Sequence, residues 1–152
     1  MHRLKITKIT SQINIYPASL IDFENIKLHI SNFELDNQAL QINQFIVAKQ
    51  GSTLLGFARI RSHQLFNEYC SLGVIEKYRQ YGIAKKITEA IINQSKLDLY
   101  LVCIIPEYFE KLGFKIETNY PDEMKNKLDY CKSSLIVEEN YVVMKYYKQP
   151  IL

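Results

Sequence analysis

Apolar and polar residues alternate imperfectly from Leu4 to Tyr16, a stretch rich in Ile and Thr. The pattern predicts one strand, with Thr10-Ser11 as the place where it would break. Ser19 stands as a helix cap before residues Leu20 to Phe33, where Ile21, Ile26, Leu28 and Ile30 supply apolar positions. Residues 34–43 follow neither period. Gln44 to Lys49 and Thr53 to Arg61 read as two strands around a Gln50-Gly51-Ser52 turn, which makes a hairpin. Gly56, inside the second strand, marks a bulge or the close approach of another group.

Glu68 to Ile75 reads as a further strand. Ile83 to Gln94 reads as a helix with Ile83, Ile87, Ala90, Ile91 and Gln94 on one side. Leu97 to Ile105 is a nearly continuous apolar run of strand length, the signature of a buried central strand. Pro106 opens a short helix through Leu112, and Gly113 falls where a left-handed cap would end it. Phe114 to Glu117 is a strand, Pro121 to Cys131 a helix, and Tyr141 to Tyr147 a closing strand. Strand runs interrupted by helices favour an α/β architecture, with helices packed on a mixed sheet.

The 152 residues are 47% hydrophobic and 23% charged. That length suits one domain, and that composition excludes a disordered chain, a fibre or a coiled coil. A net charge of +3 does not by itself suggest nucleic acid, so no nucleic-acid partner is expected and any phosphate site must be built locally. No apolar run approaches the ~20 residues that span a bilayer. Met1-His2-Arg3-Leu4-Lys5 leads into polar sequence rather than a secretory signal, so a cytoplasmic protein without a membrane partner is expected. Cys70, Cys103 and Cys131 are odd in number and far apart, and His2, His29 and His63 add no ligand spacing. No structural metal or disulfide framework is expected. Cys70 and Cys103 read as small buried hydrophobes, and His63 as a surface loop residue.

One stretch carries chemistry: Leu72-Gly73-Val74 at the end of a strand, a loop through Glu76-Lys77-Tyr78-Arg79-Gln80-Tyr81-Gly82, then the helix from Ile83. The first N–H groups of a helix have no internal partners, and its dipole adds partial positive charge there. A loop wrapped over that end can present several N–H groups to a phosphate. Gly82 permits positive φ, Ala84 leaves room, and Arg79, Lys77, Lys85 and Lys86 supply charge. The stretch is neither a Walker loop nor a dinucleotide fingerprint, since the glycine spacing of both is missing. On this chemistry alone, an anion site and an ordinary loop with one glycine both stand.

Arg79-Gln80-Tyr81-Gly82-Ile83-Ala84 resembles the R/Q-x-x-G-x-G/A motif of the GNAT superfamily of acyl-CoA-dependent N-acyltransferases. Leu72-Gly73-Val74 stands where that family's L-x-V strand end stands. Pro106-Glu107-Tyr108-Phe109-Glu110-Lys111-Leu112-Gly113-Phe114 resembles its second signature, often F-Y-E-K-L-G-F. The fuller string is similar to small single-domain amino-acid N-acetyltransferases akin to N-acetylglutamate synthase. It departs from them at Tyr69, Cys70 and Ser71, where a basic residue is common, and at Lys132-Ser133-Ser134, where further cysteines are common.

The resemblance implies a single GNAT domain over residues 1–152, whose mostly antiparallel sheet splays between two parallel strands, with helices on both faces. It implies acetyl-CoA as co-substrate, without a metal. Leu72, Gly73 and Val74 would pair with the pantetheine arm as an added strand does, and the Val74 N–H would stabilise charge on the thioester oxygen. Arg79, Gln80, Tyr81, Gly82, Ile83, Ala84 and Lys85 would hold the pyrophosphate, Gln80 replacing a glycine usual after the arginine. Glu68 matches the general base of some members. It lies an even number of residues before Val74, which puts both on one face of a regular strand. A solvated strand-start carboxylate is the other reading of Glu68. The tyrosine that commonly protonates the leaving thiolate falls at Phe109, with Tyr108 beside it, so Tyr108 or water takes that role. Arg59 and Arg61 share a strand face and could grip a substrate carboxylate, or line an exposed surface.

The reaction implied is direct transfer of acetyl from acetyl-CoA to a primary amine of a small molecule, with amino acids among the acceptors. A non-catalytic acyl-CoA-binding regulatory module and a peptide or protein N-acetyltransferase are the alternatives. A homodimer is the superfamily's tendency.

Overall fold

The computed structural model describes residues 12–134 and 140–148. Seven strands form one sheet in the order β1-β2-β3-β4-β5-β7-β6. They are β1 (Asn14–Pro17), β2 (Phe45–Gln50), β3 (Thr53–Ser62), β4 (Asn67–Val74), β5 (Leu99–Cys103), β6 (Lys115–Glu117) and β7 (Val142–Tyr146). The helices are α1 (Leu20–Asn32), α2 (Ile83–Gln94), α3 (Pro106–Glu110) and α4 (Asp122–Ser134). The pairs β1·β2, β2·β3, β5·β7 and β6·β7 are antiparallel, while β4·β5 is parallel. The mixed α/β architecture expected from the pattern is therefore the one found. The part of the first predicted strand before Gln12 lies outside the described residues.

The chain divides into two compact units: the residues up to Arg59 with Ser71–Ala90, and Ile60–Cys70 with the residues from Ile91 on. In the first unit, Ile26, Ile30, Phe45, Val47 and Phe57 form the core, and Phe23, Phe33, Leu35, Leu40 and Leu54 pack on it. α1 begins where Ser19 predicts. The Asp22 N–H donates to Ser19 Oγ at 3.1 Å and the Ser19 N–H donates to Asp22 Oδ2 at 2.9 Å, a reciprocal capping box. Its buried face differs from the expected one. Ile26 and Ile30 are enclosed, but Ile21 and Leu28 are 76% and 65% exposed. At 100° per residue, positions 21 and 28 lie opposite 26 and 30. Asp22, Phe23 and Phe33 fall on the inner side instead, and Asp22 is kept there by Lys49 Nζ at 2.7 Å.

Gly56 shows both features its placement suggested. The β2·β3 register shifts beside it, with Ala48 opposite Gly56 but Lys49 opposite Leu54. A Cβ on Gly56 would lie 2.9 Å from the Gly73 carbonyl oxygen and 3.2 Å from Ile83 Cγ2. That close approach lets α2 settle on β3 within the same unit.

In the second unit, Phe66, Tyr100, Met124, Leu128 and Val143 form the core, with α4 packed on β5 and β7. β5 is shorter than the apolar run suggests, because Ile104 and Ile105 are 38% and 50% exposed and lead into α3. Pro106 opens α3 and Gly113 ends the following turn at φ 103, as predicted.

Candidate active site

β4 delivers Leu72, Gly73 and Val74 to its C-terminal end, but it does not run as a regular strand. Ser71 sits at φ 52, a left-handed conformation that interrupts the period of two. Its buried hydroxyl donates to the Asp36 carbonyl oxygen at 3.0 Å and pins the irregularity. The even-spacing argument for one shared face of Glu68 and Val74 therefore fails. An unbroken extended backbone is what it needs, and Ser71 does not provide one. Gly73 fits because a Cβ there would stand 2.5 Å from Phe57 Cζ. The parallel ladder with β5 pairs Asn67 with Leu99 and Glu68 with Tyr100, the first two residues of β4.

Beyond Val74 the chain makes a short 3₁₀ turn over Glu76–Tyr78, anchored by the Ile75 N–H on the Leu55 carbonyl at 2.9 Å. Arg79 closes the turn: its Nε donates to the Val74 carbonyl at 3.0 Å, and its guanidinium lies 4.9 Å above the Phe33 ring. Gln80 and Gly82 both take left-handed conformations, at φ 71 and φ 79. A glycine would adopt the first of these freely, so Gln80 keeps the loop path at a conformational cost. Tyr81 is half-buried between them.

α2 then starts at Ile83, whose side chain is 2% exposed and faces Gly56. Only its main chain can serve a ligand. The Lys86 N–H returns to the Gly82 carbonyl at 3.1 Å, so the N–H groups of Ile83, Ala84 and Lys85 belong to the partnerless first turn. Ala84 is half-buried, and the Lys85 and Lys86 side chains are exposed. These residues fit a diphosphate: two left-handed turns bend the loop over a helix start with positive dipole and three free donors.

Glu68, in the second unit, is not a solvated carboxylate. It is 2% exposed, with the His63 Nε2 at 3.0 Å from Oε1 and the Lys127 Nζ at 3.1 Å from Oε2. His63 is no loose surface residue either. Its N–H donates to the Phe66 carbonyl at 3.0 Å and its ring stacks on Phe66, centroids 4.6 Å apart. Lys127 comes from the inner face of α4, and its side chain is 6% exposed. Sequence reasoning missed both partners. The signal for Lys127 was its place among Met124, Leu128 and Cys131 on one helical face, where a buried lysine demands an anion.

Arg59 shows a different commitment from the one expected. It is fully enclosed, and donates from Nε to Gln44 Oε1 at 2.8 Å and from Nη2 to the Gln38 and Ala39 carbonyls. Its guanidinium holds the loop before β2, so it has no face to give a substrate carboxylate. Arg61 remains half-buried. Tyr108 is half-buried too, its ring perpendicular to that of Phe109, which is 6% exposed and packs on Tyr69 and Phe114. Phe109 is thus the core residue of the pair. Cys103 is buried, and burial pushes its thiol up to about 11, so it is an inert packing group.

Residues 41–116 match the family model described as an acetyltransferase (GNAT) domain. No curated protein matches the sequence. Among solved structures, the chain is similar to N-acetylglutamate synthase from Neisseria gonorrhoeae in complex with coenzyme A and N-acetyl-glutamate. The TM-score is 0.71 at 14% identity, over 91% of this chain and 35% of that one. It is similar to Rv2747 from Mycobacterium tuberculosis in complex with coenzyme A, at TM-score 0.72 and 16% identity, over 88% and 98% of the two chains. It is also similar to the ribosomal-protein-S18-alanine N-acetyltransferase of Escherichia coli, at TM-score 0.64 and 14% identity, over 92% and 96%. The chain thus spans about a third of the Neisseria protein's length. The family match covers half of the 152 residues and contains β4, the loop with its two left-handed turns, and the start of α2, so the chain belongs to the GNAT acetyltransferase domain family.

Proposed function

We propose that this chain transfers acetyl from acetyl-CoA to a primary amine of a small molecule, with amino acids as the first acceptor class to test. The observation that carries the reading is the pair of left-handed residues, Gln80 and Gly82, set immediately before a helix start inside the family match. When bound, acetyl-CoA would supply an acetyl thioester and a diphosphate. The chain's part is to hold the diphosphate on the N–H groups of residues 80–85, with Arg79 braced beside them, and to line Leu72–Val74 along the amide arm. The Val74 N–H is the donor for negative charge on the acyl oxygen. A neutral amine must lose a proton as it attacks, and the charged cluster around Glu68 is where this chain keeps its proton-handling groups. Tyr108 or water returns a proton to the sulfur. Arg61 is the remaining cation on β3 for an acceptor carboxylate.

Calorimetry with coenzyme A tests the first half: binding is expected, and wild-type protein without heat of binding sinks the reading. Release of free thiol from acetyl-CoA tests the second, with the common amino acids, n-butylamine and a short unblocked peptide as acceptors. Turnover with the peptide alone would redirect the reading to N-terminal acetylation. Tight binding without any turnover would leave an acyl-CoA-binding module.

A further inference from the structure

We infer that His29 is a positioning residue of the coenzyme loop: its imidazole sets the plane of the Phe33 ring, and through that ring the guanidinium of Arg79. The inference deepens the proposed binding of acetyl-CoA and rests on it. His29, Phe33, Phe57 and Arg79 all belong to the first compact unit, as do Leu72–Val74 and the loop before α2.

The end of α1 fixes the backbone from which Phe33 projects. The Leu35 N–H donates to the Ile30 carbonyl at 3.0 Å and the Glu34 N–H to the Ser31 carbonyl at 3.3 Å, with Glu34 left-handed at φ 56. This is the paired bonding of a Schellman terminus, with glutamate where glycine is usual. The Phe33 N–H closes the last turn on the His29 carbonyl at 2.7 Å. With its backbone held in this way, Phe33 has only the tilt of its half-buried ring left to set.

His29 lies four residues earlier, on the same helical face. Its ring stacks on Phe33, with centroids 5.4 Å apart and 25° between the planes. It also stacks on Phe57, at 6.2 Å and 26°. Phe57 is fully enclosed in the core of the unit, and its ring lies against Gly73. His29 therefore bridges a ring that cannot move and the ring that carries Arg79, whose guanidinium is 4.9 Å from the Phe33 centroid.

A flat face matters here. A guanidinium gains from an aromatic ring only when it lies over the face, and a ring that tilts takes that face away. An aliphatic side chain at position 29 would fill the space without fixing a plane, whereas an aromatic one does both. The same guanidinium donates from Nε to the Val74 carbonyl at 3.0 Å, so a fixed plane also keeps that bond aligned.

Calorimetric titration of coenzyme A into the full chain tests this, with melting temperatures recorded so that only folded protein is compared. His29→Leu keeps an apolar filling and loses the flat face, so its affinity for coenzyme A should fall about fivefold. His29→Phe keeps the flat face and should stay within about twofold of wild type. Added to Arg79→Lys, His29→Leu should cause no further loss, because both changes act on one brace. If His29→Leu does not fold, His29→Met takes its place in the same comparison. Wild-type affinity in His29→Leu would overturn the inference while leaving coenzyme binding standing. So would a loss in His29→Phe as large as in His29→Leu, or losses that multiply in the double variant. Wild-type protein that gives no heat with coenzyme A would remove the proposed reading itself, and this inference with it.

Discussion

Arg79 donates from Nε to the Val74 carbonyl at 3.0 Å, so the residue that opens the loop motif is tied to the last residue of the strand before it. Stacking on Phe33 at 4.9 Å fixes the plane of the same guanidinium. The loop is thus braced before any ligand arrives, and preorganised donors lose less entropy on binding. Arg79→Lys keeps the charge but loses both the Nε bond and the flat stacking face. Its affinity for coenzyme A should fall about tenfold, equivalent to ~1.4 kcal/mol. Phe33→Leu should weaken binding by less, and the double variant should be no worse than Arg79→Lys. Calorimetry checks all three, and a sum of independent losses would refute the shared brace.

Two glycines separate strain from crowding. Gly82 has open space where a Cβ would go, so Gly82→Ala suffers only from φ 79, a cost of roughly 1–2 kcal/mol. Gly73→Ala would drive a methyl to 2.5 Å from the Phe57 ring. Forcing that ring aside costs about 1–3 kcal/mol or more, because the core around it is already filled. Denaturant unfolding should rank Gly73→Ala as the more damaging change. Coenzyme A affinity, corrected for stability, should suffer more in Gly82→Ala.

The buried pair Glu68–Lys127 makes single and double changes behave differently. Removing either charge takes a close counter-charge from a buried group, at about 3–5 kcal/mol. Lys127→Met should therefore destabilise strongly, and so should Glu68→Gln. The combined variant should recover part of the loss, since both charges of the pair are then gone together. Denaturation midpoints at neutral pH measure this, and strictly additive losses would count against a buried ion pair.

Asp22 gives a pH dependence with a definite sign. Burial pushes its carboxyl up, but Lys49 and the Ser19 N–H and hydroxyl outweigh burial and hold it below the ordinary 3.8. A depressed native pKa favours the ionised form, so its stabilisation is present above the unfolded value and lost as pH falls through the folded one. Asp22→Asn should lower the melting temperature at pH 7. The gap from wild type should begin to narrow as pH falls below about 4 and close once pH has passed the folded value. A gap that does not narrow with falling pH would show that the capping geometry, rather than the charge, carries the effect.

Cysteine reactivity should follow burial. Cys70 is half-buried, whereas Cys131 and Cys103 are buried, and the Cys103 thiol is raised to about 11. Iodoacetamide at pH 8 should label Cys70 first, with Cys103 and Cys131 reacting only in denaturant. Mass spectrometry of the folded protein resolves the order.

Elements whose signals are local were legible in the sequence. α2 runs from Ile83 to Gln94 as its period and the preceding glycine indicate, because helix periodicity and turn glycines depend on neighbouring residues alone. The same holds for the Ser19 cap, the Gly113 turn and the Gly56 close approach. Ser71 was not legible. Its hydroxyl holds a conformation more typical of glycine by reaching Asp36 in a different loop, and that contact broke the face argument built on even spacing.

The pattern of apolar positions determined which segments are strands and helices, and the loop motif marked the stretch where two left-handed residues precede a helix start. Only the tertiary structure decided what the charged residues do. Arg59 turned inward to hold the Gln38 and Ala39 carbonyls, and Glu68 met His63 and Lys127 away from bulk water. The reason is that a charge can enter a protein interior only where its counter-charges or hydrogen-bond partners also arrive. Those partners come from distant parts of the chain, and only folding brings them within reach.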